Sequence, residues 1–492
     1  MLKTIRHSLA LLSFTLITLL FLDFTGTLHI WLGWMAKIQL LPAVLSINMG
    51  VIICLALLTL LFGRLYCSII CPLGLFQDMV AKIGRRNKKA PYAYAPAKSW
   101  LRYSILSLLI VSIALGISSI VSLLDPYAAF GRIVSNLWLP VWQWGNNLLA
   151  LIAERVNSYA FYTTDVWIKS LPTFIVAIAT FVMVAILAWR NGRTWCNTIC
   201  PVGTLLGFLS QYSFCKIRID AQKCNQCTTC ERNCKASCID SKKFKVDHSR
   251  CVACMNCIGK SNCGAISYTC KYNKSEKTDK GRKAFFSTVA VLATSALKAQ
   301  MIPKATNIKM DGGLADISNK KSHDRLTPIT PAGSLHARNM KRHCTACQLC
   351  VTACPNGVLR PSTSLETFMQ PVMSYERGYC RPECTKCSEV CPTGAIHTTT
   401  REEKSSTQIG HALWIRERCV PLTDQQECTN CARHCPTGAI TMIPSVAGDE
   451  KSIKIPAINE ELCIGCGACE YLCPSRPFSA IYVEGHQVHK TI

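Results

Sequence analysis

The chain has 492 residues, of which 32 are cysteine, and a formal net charge of +25. This length predicts two to four domains rather than one small core. Such a charge is typical of nucleic-acid binding, but the count treats every cysteine as neutral, and cluster-bound thiolates would cancel part of it. Hydrophobic residues make up 49% of the chain and concentrate before Cys215. We therefore expect a membrane half, a soluble cysteine-rich half and no nucleic-acid partner.

Four apolar segments in the first half are candidates to cross a bilayer, which takes about 20 helical residues. Basic residues precede the first segment, separate the second from the third and follow the fourth, so these ends are predicted to face the cytoplasm. No small-residue cleavage site follows the first segment, which favours a retained helix over a signal peptide. The sequence predicts a membrane α-helical bundle over 1–215, with spans at 8–22, 43–62, 103–124 and 171–189.

Two other stretches could contact the membrane. The loop at 125–170 contains four tryptophans and an amphipathic segment at 133–156, which is typical of a helix lying in the interface. A basic linker precedes a fifth apolar stretch at 284–297, which is short for a full span. We predict that 276–342 is a linker that includes this stretch and then a tether.

One pattern occurs twice at the predicted cytoplasmic ends of spans. Residues four apart share a helix face, so each pair of cysteines can point toward one centre. The four thiols are predicted to form a redox centre in the membrane, as a further iron–sulfur centre or as disulfides, with simple packing as the alternative. The two copies are Gly63-Arg64-Leu65-Tyr66-Cys67-x3-Cys71-Pro72-Leu73-Gly74 and Gly192-Arg193-Thr194-Trp195-Cys196-x3-Cys200-Pro201-Val202-Gly203.

Six cysteine runs follow the pattern of cubane [4Fe–4S] ligands, in which three thiolates come from a tight loop and the fourth from afar. Two of these runs lie in 216–275. Crossed pairing assigns Cys263 to the first run and Cys234 to the second, with Cys238 competing for the place of Cys234 and with Cys215 and Cys270 left over. The runs are Cys224-x2-Cys227-x2-Cys230-x3-Cys234 and Cys251-x2-Cys254-x2-Cys257-x5-Cys263.

The other four runs fill 343–492, and each ends in a Cys-Pro pair. We predict a nested scheme, in which the first run pairs with the fourth and the second with the third. Zinc sites and disulfides do not suit triplets of this spacing, so the chain is predicted to hold six [4Fe–4S] clusters on two α+β bacterial-type ferredoxin modules. The runs are Cys344, Cys347, Cys350, Cys354; Cys380, Cys384, Cys387, Cys391; Cys419, Cys428, Cys431, Cys435; and Cys463, Cys466, Cys469, Cys473.

At these motifs a family resemblance becomes visible. Residues 1–275 resemble NapH, the membrane quinol dehydrogenase subunit of periplasmic nitrate reductase systems, whose membrane core is similar to that of NosR and CcoG. Residues 280–492 resemble NapG, a four-cluster ferredoxin with a twin-arginine export signal. Residues 282–286, Arg-Lys-Ala-Phe-Phe, are similar to that signal but have lysine at the second arginine position.

The resemblance implies oxidation of (mena)quinol and transfer of single electrons along the clusters to a periplasmic reductase or carrier protein. It implies a multi-pass protein of the bacterial inner membrane, in contact with lipid and quinone, with the first ferredoxin module cytoplasmic and the second periplasmic. Asp125, at the outer end of the third span, is the candidate proton acceptor for the quinol. The alternatives are a membrane reductase of a metal or cofactor fed from a cytoplasmic donor, and a redox sensor or maturation factor.

Other redox cofactors are not expected. The chain has no Cys-x-x-Cys-His sequence, the attachment signal of c-type haem, and no Gly-x-Gly-x-x-Gly loop for a dinucleotide. We therefore predict neither haem nor flavin.

Overall fold

The computed structural model describes residues 2–86, 92–158, 160–258, 264–270, 309–310, 316–317 and 319–492. We divide them into a helical domain (2–214), a first cysteine module (215–270) and a second cysteine module (319–492). The predicted fifth apolar stretch and Cys263 lie outside the described residues. In the sequence between the two modules, two short strands pair with each other, β5 at Lys309–Met310 and β6 at Asp316–Ile317.

The helical domain contains long helices joined by short ones. Two π-helical turns, at Val134–Trp138 and Trp195–Ile199, interrupt it. The helices are α1 Leu2–Leu22, α2 His29–Leu32, α3 Trp34–Lys37, α4 Leu40–Leu45, α5 Met49–Phe62, α6 Tyr66–Ile69, α7 Pro72–Arg86, α8 Ser99–Leu115, α9 Ser118–Leu124, α10 Pro126–Ile133, α11 Leu139–Arg155, α12 Leu171–Asn191 and α13 Pro201–Ser210.

Among the described residues, two helices are long and apolar enough to cross a membrane, α1 and α12. The other two predicted spans are broken. The segment at 43–62 is divided between α4 and α5 by a turn at 46–48, and the segment at 103–124 is divided between α8 and α9. The second break falls at Gly116, whose φ of +73° is a left-handed conformation that glycine adopts without a Cβ clash.

Aromatic side chains fill the centre of the helical domain. The Phe14 and Phe130 rings lie 5.5 Å apart in an edge-to-face arrangement, and Trp138 meets both of them. Phe76 links this group to Phe181 on α12, with ring centroids 5.4 Å apart. Offset and edge-to-face pairs of this kind stabilise a core beyond the area that they bury. The short helix α10 is therefore held inside the domain, between α7 and α12.

The first cysteine module is built on an antiparallel pair of strands that places its two ends together. Cys215 stands directly opposite Cys270 in this pair, and the two form a disulfide. These are the two cysteines that the cluster pattern left over. The elements are β1 Cys215–Ile219, α14 Thr229–Arg232, β2 Ile239–Asp240, β3 Lys245–Val246 and β4 Ile266–Cys270.

The second cysteine module consists of short helices and two-stranded sheets. The longest pairing joins β9 to β12 in antiparallel register, with a bulge between Gly485 and Lys490. The helices are α15 Ala337–His343, α16 Leu349–Ala353, α17 Lys386–Val390, α18 Arg401–Ser405, α19 Val420–Thr423, α20 Asn430–Arg433 and α21 Ala468–Leu472. The strands are β7 Leu359–Pro361, β8 Pro371–Met373, β9 Thr407–Trp414, β10 Ile440–Pro444, β11 Lys454–Ile458 and β12 Ile481–Thr491.

The stretch after Asn319 belongs to the second module and does not behave as a tether. The Arg325 guanidinium makes two hydrogen bonds to the Glu470 carboxylate, at 2.6 and 2.8 Å, and both side chains are buried. Ile329 is fully buried in the same core. The prediction of a tether up to residue 342 therefore differs from the structure, because the sequence between the motifs gave no sign of this buried ion pair.

The first cysteine module contacts one end of the long helices. Near the start of α8, Arg102 donates to the Ser249 hydroxyl at 3.0 Å. Just after the end of α12, the backbone N–H of Arg193 donates to the Lys235 carbonyl at 2.8 Å. The start of α8 and the end of α12 therefore lie at the same end of the helical domain.

The second cysteine module contacts the opposite end of the same helices. Ser119, on α9 beyond the end of α8, donates to the Leu365 carbonyl at 3.4 Å. Lys169, just before α12, donates to the Val351 carbonyl at 2.7 Å. Because α8 and α12 each run from one module to the other, the helical domain separates the two cysteine modules.

Candidate metal centres

The four cysteines of the doubled motif meet inside the helical domain. Cys67, Cys71, Cys196 and Cys200 are buried and unpaired thiols, and the electrostatic neighbours of Cys200 are the other three. The local chain path produces this convergence. A glycine with positive φ ends each preceding helix, at +76° and +71°, and proline then starts the following helix. We call these four residues the central thiols.

Two buried arginines connect the two halves of the central site, because each arginine contacts the cysteine loop of the other copy of the motif. Arg64 of the first copy donates to the Cys196 carbonyl at 3.3 Å, and Arg193 of the second copy donates to the Cys67 carbonyl. Each contact needs a glycine in the partner loop. A Cβ on Gly74 would lie 2.6 Å from the Cys67 carbonyl oxygen, and a Cβ on Gly203 would lie 2.3 Å from that of Cys196.

Two further donors reach the sulfur atoms of the central thiols. Arg64 lies 3.8 Å from Cys67 Sγ, and the Gln77 amide donates to Cys196 Sγ at 3.2 Å. Hydrogen bonds to thiolate sulfur stabilise the charged form of a ligand and tune the redox potential of a bound centre. The central thiols are therefore surrounded by groups that suit negative charge.

Asp78 joins the central site to the first cysteine module. Its carboxylate lies 2.6 Å from Arg193 Nε and 2.6 Å from Lys235 Nζ, with Arg6 at 3.7 Å. Burial alone would raise the pKa of Asp78, but Arg193 and Lys235 outweigh burial and hold the pKa below its ordinary range. The carboxylate is therefore charged, and it balances cations from α1, the second copy of the motif and the first module.

In the first cysteine module, one predicted set of ligands comes together. Cys251, Cys254 and Cys257 all have Cys234 among their electrostatic neighbours, as crossed pairing requires. Cys238 lies 3.5 Å from Cys234, sulfur to sulfur, so five thiols surround this site.

The other set of the first module is described only in part. Cys224 and Cys227 lie near Cys230, whereas its predicted fourth ligand, Cys263, lies outside the described residues. The first set is the one beside the helical domain, because Cys254 is an electrostatic neighbour of Arg6.

In the second cysteine module, adjacent runs exchange their fourth cysteines. Electrostatic neighbours place Cys391 with the first run and Cys354 with the second; Cys473 lies with the third run and Cys435 with the fourth. The nested pairing is therefore wrong. The sets are set one (Cys344, Cys347, Cys350, Cys391), set two (Cys354, Cys380, Cys384, Cys387), set three (Cys419, Cys428, Cys431, Cys473) and set four (Cys435, Cys463, Cys466, Cys469).

The four sets form a line that starts at the helical domain. Set one is next to α10, where a Cβ on Gly131 would lie 2.5 Å from the Cys347 carbonyl oxygen. Set two follows it, and a backbone hydrogen bond of 2.9 Å from Cys380 to Cys466 joins set two to set four. Set three comes last, where Cys469 neighbours Cys431. The order in space is one, two, four, three.

These thiol sets suit clusters better than single metal ions. Within the described ranges, no group of three or more His, Cys, Asp or Glu side chains is placed to hold one metal ion. A cubane has a different requirement, because each of its four thiolates binds a different iron and the sulfurs stand around the cluster.

A buried arginine tests the fit at set one. Arg132 is fully buried, its three guanidinium nitrogens have no hydrogen-bond partner, and its electrostatic neighbours are Asp125 and Cys347. An unpaired buried cation is very costly. An anionic thiolate cluster would provide the missing charge, so the residues at set one fit such a group.

Asp125, the candidate proton acceptor, lies between the central thiols and set one. Its carboxylate is 1% exposed and caps α10, accepting from the N–H groups of Tyr127 and Ala128 at 3.1 and 3.2 Å. It is an electrostatic neighbour of Cys347 and also of Tyr66, which in turn lies near Cys71. The structure thus gives Asp125 a capping role and places it near residues of both thiol sites.

Sequence reasoning missed the polar residues that surround the thiols. Arg64 and Arg193 belong to the doubled motif, and their identical spacing from Cys67 and Cys196 in the two copies was the available signal. Gln77 and Asp78 follow only the first copy of the motif. Nothing in their local sequence distinguishes them from the exposed polar residues of a surface helix.

Family models match segments of the helical domain and of the second cysteine module. A 4Fe–4S binding domain matches 46–91 and 173–219, the two segments that contain the central thiols. A 4Fe–4S dicluster domain matches 343–395 and 426–476, which agrees with the pairing of adjacent runs. With the thiol sets, these matches define the chain as an iron–sulfur electron-transfer protein with 4Fe–4S ferredoxin modules.

Relatives named ferredoxin-type proteins confirm the resemblance to NapH. The chain is 25% identical to NapH of Escherichia coli (strain K12) over 48% of this chain and 72% of that protein. It is 28% identical to NapF of the same strain, over 36% of this chain and all of NapF. It is 24% identical to the putative electron transport protein YccM, over 44% of this chain and about half (54%) of YccM. No solved structure matches the chain.

Proposed function

We propose that this protein is bound to the bacterial inner membrane, oxidises (mena)quinol and passes single electrons along [4Fe–4S] clusters to a periplasmic reductase or carrier protein. One observation carries the proposal: the α8–α9 pair and the residues that flank α12 contact the first cysteine module at one end and the second at the other. The central thiols are buried in the helical domain, and set one lies at the end that faces the second module. This arrangement suits a conductor through a membrane and is not needed by a sensor.

The proposal includes four membrane spans, of which α1 and α12 are continuous. The α4–α5 and α8–α9 pairs complete the set as broken helices, which membrane proteins accept where the break is buried in protein. Basic residues at the first-module end support a cytoplasmic position for that module and a periplasmic position for the second.

Six cysteine sets in the two modules are proposed to hold six [4Fe–4S] clusters, which when bound would carry electrons singly between neighbouring sets. The central thiols would hold a seventh iron–sulfur centre. The family model that matches both copies of the motif supports this over disulfides, and so do the donors from Arg64 and Gln77. Arg64 and Arg193 would fix the loops that present these thiols.

Quinol releases two protons for every two electrons, and Asp125 remains the proposed acceptor of a proton. Two features support this role: its burial at the outer end of α9, and its position between Tyr66 and Cys347. Its two N–H partners on α10 hold the carboxylate in one orientation.

Cluster reduction by quinol tests the proposal. The protein is purified without oxygen in detergent and mixed with a menaquinol analogue, and cluster reduction is followed by EPR and by optical bleaching. We expect rapid reduction of all clusters in the wild type. In the double variant Cys67→Ser/Cys71→Ser, the clusters of the first module should no longer be reduced. Cys54→Ser is the matched control, because this exposed thiol lies on α5 away from the central site.

One result would overturn the donor assignment. If a low-potential chemical reductant reduces the clusters and quinol does not, the electrons come from another donor. A soluble cytoplasmic donor that feeds a membrane reductase of a metal or cofactor then becomes the better account.

A further inference from the structure

A cavity of about 720 Å³ opens at the first-module end of the helical domain. Its two long walls are α1 and α7, and residues of the first cysteine module, including Lys235, close a third side. Leu11 on α1 and Met79 on α7 line the cavity and are exposed. The cavity is therefore open to the outer surface of α1, one of the two helices that are long and apolar enough to cross a membrane.

The two helical walls run in opposite directions. Helix α1 begins at the first-module end and is followed by Gly26 at the second module, where a Cβ would lie 3.6 Å from Lys386 Cδ. Helix α7 runs from the central thiols toward the first module, where Arg85 donates to the Asn233 amide oxygen at 2.6 Å. Residues early in α1 and late in α7 therefore lie together at the first-module end.

This arrangement makes the cavity basic at its outer end and apolar further in. Lys3, Lys82 and Arg85 line the outer part, whereas Leu11 and Leu75 line the inner part. Lys82 and Arg85 are exposed and Lys3 is half-buried, so all three charges are accessible to a ligand. A cavity with this order of charged and apolar walls matches an amphiphile whose head group is anionic.

The three outer cations have no carboxylate partner in the described part of the chain. Among the described residues that line the cavity, the one carboxylate is Asp78, which is bound to Arg193 and Lys235 at 2.6 Å each. The contact of Arg85 with Asn233 is a hydrogen bond to a neutral amide. Each positive charge near a membrane surface attracts anionic lipid, so the outer end of the cavity favours a negatively charged head group.

We propose that this cavity binds one anionic phospholipid. The phosphate lies beside Lys3, Lys82 and Arg85, and an acyl chain lies along Leu11 and Leu75. Basic pockets between helices at the cytoplasmic side of a membrane bind such head groups. A quinone would fill the apolar part but would leave the three cations without an anion, and a soluble phosphate would leave the apolar part empty.

The bound lipid joins the helical domain to the first cysteine module, because Lys235 and Asn256 of that module also line the cavity. The site rests on the membrane position in the proposed function, but it does not depend on quinol as the electron donor.

Native mass spectrometry of the delipidated full-length protein counts bound lipids and gives their dissociation constants. The probes are dioleoyl phosphatidylglycerol and dioleoyl phosphatidylcholine, which differ only in the head group. We expect the first to bind about tenfold more tightly, and Lys3→Gln/Lys82→Gln to remove most of this preference. Met79→Glu should remove it as well, because its carboxylate would repel the phosphate. The matched control, Lys242→Gln/Lys243→Gln, changes two exposed lysines of the first module and should bind like the wild type.

The outcomes separate this site from the proposed function. Equal binding of the two lipids by the wild type overturns the site, and so does an equal loss of preference in the control. Displacement of the lipid by glycerol phosphate would identify a soluble phosphate as the ligand and overturn it too. A preference that is lost in both cavity variants and kept in the control supports the site. If quinol then fails to reduce the wild-type clusters, quinol donation is refuted but the lipid site is not.

Discussion

The two copies of the central motif share the pattern Gly-Arg-x-x-Cys-x3-Cys-Pro-x-Gly and differ just beyond its last glycine. In the first copy Asp78 provides the carboxylate that binds Arg193. The equivalent position of the second copy is Gly207, where a Cβ would lie 2.3 Å from the Ser249 carbonyl oxygen. That carbonyl accepts from Arg64 at 3.0 Å. The Ser249 carbonyl of the first cysteine module therefore accepts a hydrogen bond from Arg64, as the Asp78 carboxylate does from Arg193.

This difference shows how a symmetric site acquires one docking face. Both arginines hold the opposite cysteine loop, so both copies keep the Gly-Arg start of the motif. Only the second copy has glycine at this position, and the missing side chain leaves room for the backbone of the first module.

The largest effect is expected from Asp78→Asn. The variant leaves Arg193 and Lys235 buried beside an uncharged partner, and breaking a buried ion pair costs about 3–5 kcal/mol. Thermal unfolding of the purified protein in detergent should show this loss. Asp220→Asn is the control, since Asp220 and its partner Lys223 are both exposed. Equal destabilisation by both variants would contradict the central role of Asp78.

Acid should act on the same ion cluster. The pKa of folded Asp78 is below its ordinary range of about 4, so its contribution to stability is complete above that pH. The contribution is lost as the pH falls below about 4, because the unfolded chain then binds a proton that the folded chain does not. Unfolding measured between pH 6 and pH 3 should show a drop in the wild type. The drop should be smaller in Asp78→Asn, and identical profiles would contradict the assignment.

Gly207→Ala should disturb the docking of the first module. Its Cβ would meet the Ser249 carbonyl, and relief of such overpacking costs about 1–3 kcal/mol. Limited proteolysis should cut the first module faster in the variant. Gly145→Ala is the matched control, because a Cβ there meets nothing within 4 Å. Protection equal to that of the wild type would show that the module docks without the Arg64 contact.

Arg132 extends the contrast. It is buried like Arg64 and Arg193, but its guanidinium has no hydrogen-bond partner. Arg132→Gln should lower the reduction potential of the cluster at set one. One charge at an effective dielectric of about 20 is worth on the order of 2 kcal/mol, roughly 100 mV for one electron. An EPR-monitored redox titration measures the shift. Arg155→Gln, at the exposed end of α11, should leave the potential unchanged, and Arg132→Lys should keep most of the wild-type value.

The smallest effect is expected from Gln77, because its hydrogen bond to a cysteine sulfur has no equivalent from the second copy of the motif. Gln77 donates to Cys196 Sγ, and the equivalent residue of the second copy is Leu206, which cannot donate. Gln77→Leu makes the copies alike and removes about 1 kcal/mol of hydrogen bonding. The potential of a centre held by the central thiols should fall by roughly 40 mV. An unchanged potential would place that centre away from Cys196.

Short-range patterns explain what could be predicted. Spacing alone identified the cysteine triplets and the doubled motif, because three ligands of a cubane come from a single loop. Crossed pairing in the first module follows from the same pattern. It requires Cys234 to lie beside the triplet of the second run, and the structure places it there. The pairing of runs in the second module was predicted wrongly, since a run does not encode which neighbour its loop will face.

Long-range contacts explain the rest. Arg64 meets the Cys196 carbonyl from 132 residues away, and Gln348 meets Asn136 from 212 residues away. No local preference reports such partners. The break at Gly116 was also hidden, because an apolar segment has the same composition whether its helix is continuous or divided.

The 21 residues of α1 extend about 30 Å, and the two modules lie at opposite ends of the helical domain. In the proposed membrane arrangement, an electron that travels from one module to the other would move through the membrane voltage, which is worth about 2.3 kcal/mol per 100 mV. Transfer along this route is then sensitive to voltage, whereas transfer among the four sets of the second module does not cross the field. Cluster reduction in proteoliposomes with an imposed potassium diffusion potential would distinguish the two routes in one preparation.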